Sequence, residues 1–315
     1  MKRKKFKVIV DTDPGCDDAA CLIYMLNDKE VDIKLITTVA GNIKIETATR
    51  NALHLLDIFE KDIPVAQGAS KAMFRTSPYA EEIHQKEGLG GYTPPLSTTR
   101  QIFSKDAVEE MYKVLKEGDG DIIPIVLGPQ TNIGLLIQKH PDIVEKIPKI
   151  IFMGGSPFGM KGFPNHISFN ISSDPEAFKI VLDSKIPLVM IPSDMGRRKA
   201  YLDEQYVYDM QKVNEIGDLL FKMYDMYWEP GFEDKRIATN DTCAYMYLIR
   251  PELFQTTKIT VDVDVNEAPG KTIVHFDDQS HIDLAIGVRR EKFLKILSKK
   301  LLELNGVKLP KADLN

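Results

Sequence analysis

The stretch VIVDTDPGCDDAA, residues 8–20, places four carboxylates within eight residues, directly after three β-branched residues. Asp11 and Asp13 fall at the carboxyl end of a hydrophobic strand, and Asp17 and Asp18 open the helix that follows. Pro14-Gly15 turns the chain between them, so both pairs face one crevice. Two carboxylates about 5 Å apart repel by roughly 3 kcal/mol at an effective dielectric of about 20. Either one of them takes up a proton or a cation binds. A hard divalent ion with oxygen ligands is the natural partner of such a set. Helix capping accounts for one of these residues, or two, but not for four.

The elements that must position this cluster follow from hydrophobic patterning. Strands are predicted at Lys7–Val10, Asp32–Val39, Ile63–Val65, Ile122–Leu127, Lys149–Met153 and Leu188–Ile191. Between them lie helical patterns at Asp17–Leu26, Glu46–Phe59, Lys105–Lys116 (with Ser104 as its cap) and Thr131–Gln138, and a helix start at Asp174-Pro175-Glu176. Such alternation predicts one α/β domain over residues 1–315, with an open, mostly parallel, Rossmann-like central sheet flanked by helices. Ile259–Val265, Lys271–Phe276 and Ile282–Gly287 read as a small β-rich C-terminal portion packing on that sheet, and Lys292–Leu304 as a closing helix. The irregular segments 68–100 and 154–170 belong where ligands bind, beyond the carboxyl ends of the strands.

Composition narrows the class. A chain of 315 residues, 43% hydrophobic and 28% charged, suits a globular protein with a sizeable core. A net charge of −5 gives no reason to expect nucleic acid or an anionic membrane as a partner. The basic start MKRKK is followed by too few apolar residues for a signal peptide. Three cysteines without a paired framework suggest a reducing, cytoplasmic setting.

The segment D-T-D-P-G-C-D-D-A resembles the signature D-x-D-P-G-x-D-D-A of the inosine-uridine-preferring nucleoside hydrolases. TTVAGN (37–42), GLGG (88–91) after His84, VLGPQTN (126–132), IFMGG (151–155), FNISSDPEA (169–177) and NDTCA (240–244) resemble further segments of that family, in order along nearly the whole chain. The resemblance implies the family's open α/β fold, its usual dimers or tetramers, and Ca²⁺-dependent hydrolysis of the N-glycosidic bond of a ribonucleoside or related N-riboside. It implies Asp13, Asp17, Asp18, the carbonyl of Leu127 and Asp241 as Ca²⁺ ligands, and Asp13 as the acceptor of a proton from water. Asn42, Asn170, Asp17 and Asp241 would hold ribose hydroxyls, and Asp11 would orient the cluster from behind. The chemistry is coherent: a departing base leaves an oxocarbenium-like sugar that nearby carboxylates stabilise.

Two positions depart from the family pattern. Asn240 stands where the family usually has His, and an amide is no general acid. Ser168 stands where the family has Glu. Either residue is a candidate substrate contact, but the base and outer-sugar end of the site is altered. His84 is a candidate proton donor, being a near-neutral side chain beside a Gly-rich loop. His166 is a second candidate, and Asn165 or Lys161 could stand in for the family's loop Asn. His54 and His140 read as structural. Tyr224, Tyr227 and Trp228 divide between base stacking and core, with Tyr227 taken as a substrate contact. Cys16 and Cys243 lie near the acids, where a thiolate is disfavoured. Lys295, Lys299 and Lys300 read as a solvated helix face. Two other functions stay open: a nucleoside- or ribose-binding protein with a metal site and little turnover, and a phosphatase. The second rests on Asp11-Thr12-Asp13, which is similar to the D-x-D-x-[TV] motif of haloacid-dehalogenase phosphatases.

Overall fold

A computed structural model describes residues 5–76, 79–95, 98–159 and 167–309. Eleven strands are present among them: β1 (Phe6–Thr12), β2 (Val31–Thr38), β3 (Val65–Gln67), β4 (Ile122–Val126), β5 (Ile150–Met153), β6 (Leu188–Ile191), β7 (Leu202–Asp203), β8 (Arg236–Ile237), β9 (Phe254–Val263), β10 (Thr272–Phe276) and β11 (Ile282–Val288). Nine of them form one sheet in the order β10-β9-β11-β6-β5-β4-β1-β2-β3, and β7 and β8 pair separately. The block from β6 to β3 is parallel throughout, because each crossover runs through a helix.

The strands at the centre carry apolar residues on both faces. Val8, Ile9 and Val10 of β1, and Ile125 and Val126 of β4, are fully buried, as a sheet covered by helices on both sides requires. Strand order reverses at β1, with β2 on one side and β4 on the other. The crevice where the order reverses is the usual ligand site of an open parallel sheet. Asp11 sits at this point in register with Thr37 of β2 and Val126 of β4.

The C-terminal strands differ from their predicted place. They form no separate layer: β11 runs parallel to β6 and antiparallel to β9, so they widen the same sheet at its edge. Alternation alone could not distinguish these arrangements, since an edge strand and a strand of a packed ribbon look alike in sequence. The third strand begins at Val65, later than its hydrophobic run suggests, after Pro64 has removed a donor. The helix predicted from Lys105 starts at Ala107 and is capped by Asp106, which accepts from the Glu109 N–H. Ser104 instead precedes the cap, its Oγ accepting from the Asp106 N–H. Lys300 is no part of a solvated face: its side chain is 12% exposed and its Nζ lies 2.7 Å from Asp28 Oδ2, itself on a side chain 3% exposed. Lys295 and Lys299 are exposed as predicted.

Candidate active site

The helix α1 (Cys16–Asn27) begins at the carboxyl end of β1, so the turn between them brings Asp11, Asp13, Asp17 and Asp18 to one place. Asp18 does the work of a cap and more. Its Oδ2 accepts from the Gly15 N–H at 3.2 Å and from Asn42 Nδ2 at 3.0 Å, and its Oδ1 from Thr12 Oγ1 at 2.5 Å and the Asp13 N–H at 3.3 Å. The positive end of α1 favours both acids of its first turn. Asp11 stands behind, its Oδ1 accepting from Thr37 Oγ1 and Asn132 Nδ2. Burial pushes its carboxyl up to about 7.

Capping leaves the other carboxylates unexplained. Asp13 Oδ1 and Asp17 Oδ1 are buried without a hydrogen-bond partner. Asp13 Oδ2 accepts from the Asn42 N–H at 2.6 Å. Oxygens of Asp17, Asp18 and Asp241 lie within 4.8 Å of one another, and among the described residues they are the one cluster of three acid, His or Cys groups suited to a metal. Asp241 arrives from the far end of the sequence, on the first turn of the helix Asn240–Ile249. Burial, then the neighbouring carboxylates, push Asp241 well above the ordinary range. Burial and Asp18 do the same to Asp13, against the Asn42 N–H, and burial and Asp17 bring Asp18 up to about 6. Burial and mutual repulsion thus both oppose ionisation of these acids, a setting that favours the binding of a cation.

Glycines make room for this floor. A Cβ on Gly41 would lie 2.1 Å from Asp13 Oδ2, and one on Gly128 2.6 Å from Asp13 Oδ1. Gly128 follows Leu127, whose carbonyl lies at the end of β4 and accepts from Asn170 Nδ2. That carbonyl keeps a second lone pair.

Above the floor is a cavity of about 670 Å³. Asp17, Asp241, Asn42, Asn170 and Leu127 line its bottom, and Asp13 and Asp18 are buried behind them. Its sides come from the short helix Glu81–His84 (Ile83, His84), from loop residues Ser168, Tyr227 and Trp228, and from Asn240 at the start of its helix. His84 Nδ1 accepts from the Cys16 N–H at 3.1 Å, which puts the imidazole proton on Nε2. Burial lowers its pKa, so the ring is a neutral donor rather than an imidazolium acid. Its ring centre lies 5.1 Å from that of Tyr227. Tyr224 belongs to the core, whereas Tyr227 and Trp228 reach the cavity. Ser168 Oγ accepts from the Gly155 N–H at 2.6 Å, so this residue braces the 154–155 turn as well as facing the cavity. Asn240 Oδ1 is buried without a partner.

Other sequence readings resolve simply. His54 is buried and bonded to Tyr92 at 2.8 Å, and His140 ends its helix against Glu109. Cys16 is pushed up chiefly by burial and then by Asp17 and Asp18. His166, Asn165 and Lys161 lie outside the described residues. Among the cavity residues that no sequence motif marks are Arg197 and Glu229, whose Nε and Oε2 lie 3.2 Å apart. The only hint was Glu229 directly following the Tyr227-Trp228 pair.

An open parallel sheet with a buried carboxylate floor and an aromatic-walled cavity at its switch point defines an α/β enzyme for a small molecule. The model of the inosine-uridine preferring nucleoside hydrolase family matches residues 8–295, and the chain belongs to that family, whose members cleave N-glycosidic bonds. It is 36% identical over 275 residues to the non-specific ribonucleoside hydrolase RihC of Klebsiella pneumoniae, covering 87% of this chain and 89% of that one. Its fold matches a plant nucleoside hydrolase, PpNRh1, with a TM-score of 0.87 at 26% identity, over 94% of this chain and 98% of the other. It also matches a purine-preferring ribonucleoside hydrolase from Gardnerella vaginalis, with a TM-score of 0.85 at 27% identity, over 96% and 98%. Asp11-Thr12-Asp13 therefore belongs to the hydrolase signature and not to a phosphatase motif. A phosphatase nucleophile would need to face the cavity, and Asp11 is buried with one oxygen held by two donors.

Proposed function

We propose that the protein hydrolyses ribonucleosides to free base and ribose with Ca²⁺ bound in the carboxylate floor. The observation that carries this reading is the pair of partnerless buried oxygens, Asp13 Oδ1 and Asp17 Oδ1, beside the Asp17–Asp18–Asp241 cluster. Asp13, Asp17, Asp18, Asp241 and the Leu127 carbonyl offer oxygen donors only, the set a hard cation takes. Such an ion would neutralise the mutual repulsion of the acids and supply a Lewis acid for activating water at neutral pH.

The chain's own groups do the rest. Asp17, Asp241, Asn42 and Asn170 surround the bottom of the cavity and suit the hydroxyls of a ribose, fixing its anomeric carbon over the acids. Asp13 Oδ1 accepts the proton of the attacking water. The carboxylates stabilise positive charge that develops on the sugar as the base leaves. Tyr227 and Trp228 give the base an aromatic wall, and His84 Nε2–H donates towards it.

The test is chromatographic detection of free base from a panel of purine and pyrimidine ribonucleosides, with Ca²⁺ and after chelation. Release that chelator abolishes and Ca²⁺ restores is expected. No release from any nucleoside, while Ca²⁺ raises the melting temperature, would overturn the hydrolase reading and leave a binding protein.

A further inference from the structure

Residue 240 cannot give the departing base a proton in this chain, because an amide is no acid. His84 is a neutral donor whose Nδ1 is already engaged. The cavity that Asn240 lines, however, also holds a permanent cation, Arg197. Arg197 belongs to a wide helical turn, Met195–Lys199, of the rare type that is frequent at functional sites. That turn packs directly on residue 240: a Cβ on Gly196 would lie 2.4 Å from Asn240 Oδ1. The Arg197 side chain is 17% exposed, and its Nε lies 3.2 Å from Oε2 of Glu229, whose side chain is 4% exposed. Both line the cavity with Asn240, Tyr227 and Asp17. Burying an ion pair is weak means of stabilising a fold. At the wall where the base must sit, the pair has a chemical use.

We propose that Arg197, oriented by Glu229, stabilises the leaving base, the task residue 240 cannot perform as an acid here. This rests on the ribonucleoside hydrolase reading. As the C1′–N bond breaks, its electron pair passes to the base. Water gives hydroxyl to C1′ and a proton to Asp13, which returns it to solvent. The base takes up one proton from solvent, so one water is consumed overall. Arg197 transfers no proton. It donates hydrogen bonds to the ring nitrogen or carbonyl oxygen on which negative charge collects, and its charge does not depend on pH. A donor held in place before the reaction acts most strongly on the charge that develops in the transition state. Glu229 is a positioning residue, holding the guanidinium plane.

The experiment compares Arg197→Ala with wild type on a ribonucleoside and on p-nitrophenyl β-D-ribofuranoside, whose phenolate leaves without help. The nucleoside kcat is expected to fall by about 10²- to 10³-fold, with the nitrophenyl riboside rate changed by less than about threefold. Glu229→Gln should give the same selective pattern, with a loss of about tenfold. Equal losses on both substrates, or an unchanged nucleoside rate, would overturn the assignment. If Arg197→Ala does not fold, Arg197→Lys decides. It keeps charge and bulk but loses the planar fork, so a nucleoside-selective loss supports the proposal and an equal loss rejects it. A wild-type enzyme that releases base from no ribonucleoside overturns the hydrolase reading, and this proposal with it, before any substitution is made.

Discussion

On the floor of the cavity every carboxylate comes from a strand end or the first turn of a helix. On its wall, Tyr227, Glu229 and Arg197 come from a loop and a wide turn. The floor is held by many short bonds: Asp18 alone accepts four. The wall is held by ring contacts, backbone bonds such as Glu229 N–H to the Arg236 carbonyl, and the Arg197–Glu229 ion pair. Cation and sugar chemistry demand fixed oxygens, whereas recognition of a base needs only a surface of suitable shape and polarity. Residues 168 and 240, on the wall, can therefore vary while the floor stays intact.

Substitutions that separate floor from wall sharpen this contrast. The largest effect is expected at the floor. Asp13→Asn should lower kcat by about 10³-fold or more. It should also raise the melting temperature of metal-free protein, because one buried like charge is gone. A stability loss with retained activity would place Asp13 in structure rather than chemistry. Next, Gly41→Ala forces the Asp13 carboxylate to move, and an ångström of displacement costs about 10²-fold in kcat. Steady-state kinetics at saturating nucleoside would show it. On the wall, Tyr227→Ala should raise KM by about tenfold with a smaller change in kcat, since a lost aromatic contact is worth about 1 kcal/mol. A kcat loss like that of Asp13→Asn would erase the distinction.

The smallest effect on catalysis lies outside both regions. Lys300→Met leaves Asp28 buried without its cation, and should cost about 3 kcal/mol of stability while leaving kcat unchanged. Burial pushes the Asp28 carboxyl up. The Lys300 bond, the Glu30 N–H and the Tyr245 hydroxyl outweigh it and hold the group below its ordinary value. The pair therefore stabilises the fold at pH above about 4 and is lost as pH falls through the lowered value. Urea melts at pH 7 and pH 3 should show the gap between variant and wild type closing in acid.

The floor was legible because its signal is local. Four acids across a Pro-Gly turn, between a β-branched run and an apolar helix, place themselves. The strand and helix alternation likewise gave the parallel sheet. What was not legible depends on pairs remote in sequence. Nothing near Lys300 distinguishes it from Lys295 and Lys299 until Asp28 and Tyr245 are folded against it. Arg197 and Glu229 are unremarkable as single residues, and only their burial at one wall gives them meaning. The C-terminal strands read correctly as strands, but their attachment to β6 is a property of the whole sheet.

The origin of Asp241 also has a consequence for how the protein comes into being. Its helix packs against α1, yet the two are far apart in the order of synthesis. β11, made later still, must lie between β6 and β9 before the sheet is complete. Pairings this distant form late, because the closure of long loops precedes any gain from contact. A growing chain therefore keeps Asp13, Asp17 and Asp18 hydrated through most of its emergence. The cost of burying four acids together falls on the last folding step, and a cation held by them, as proposed, would act as a folding partner before it ever met a substrate.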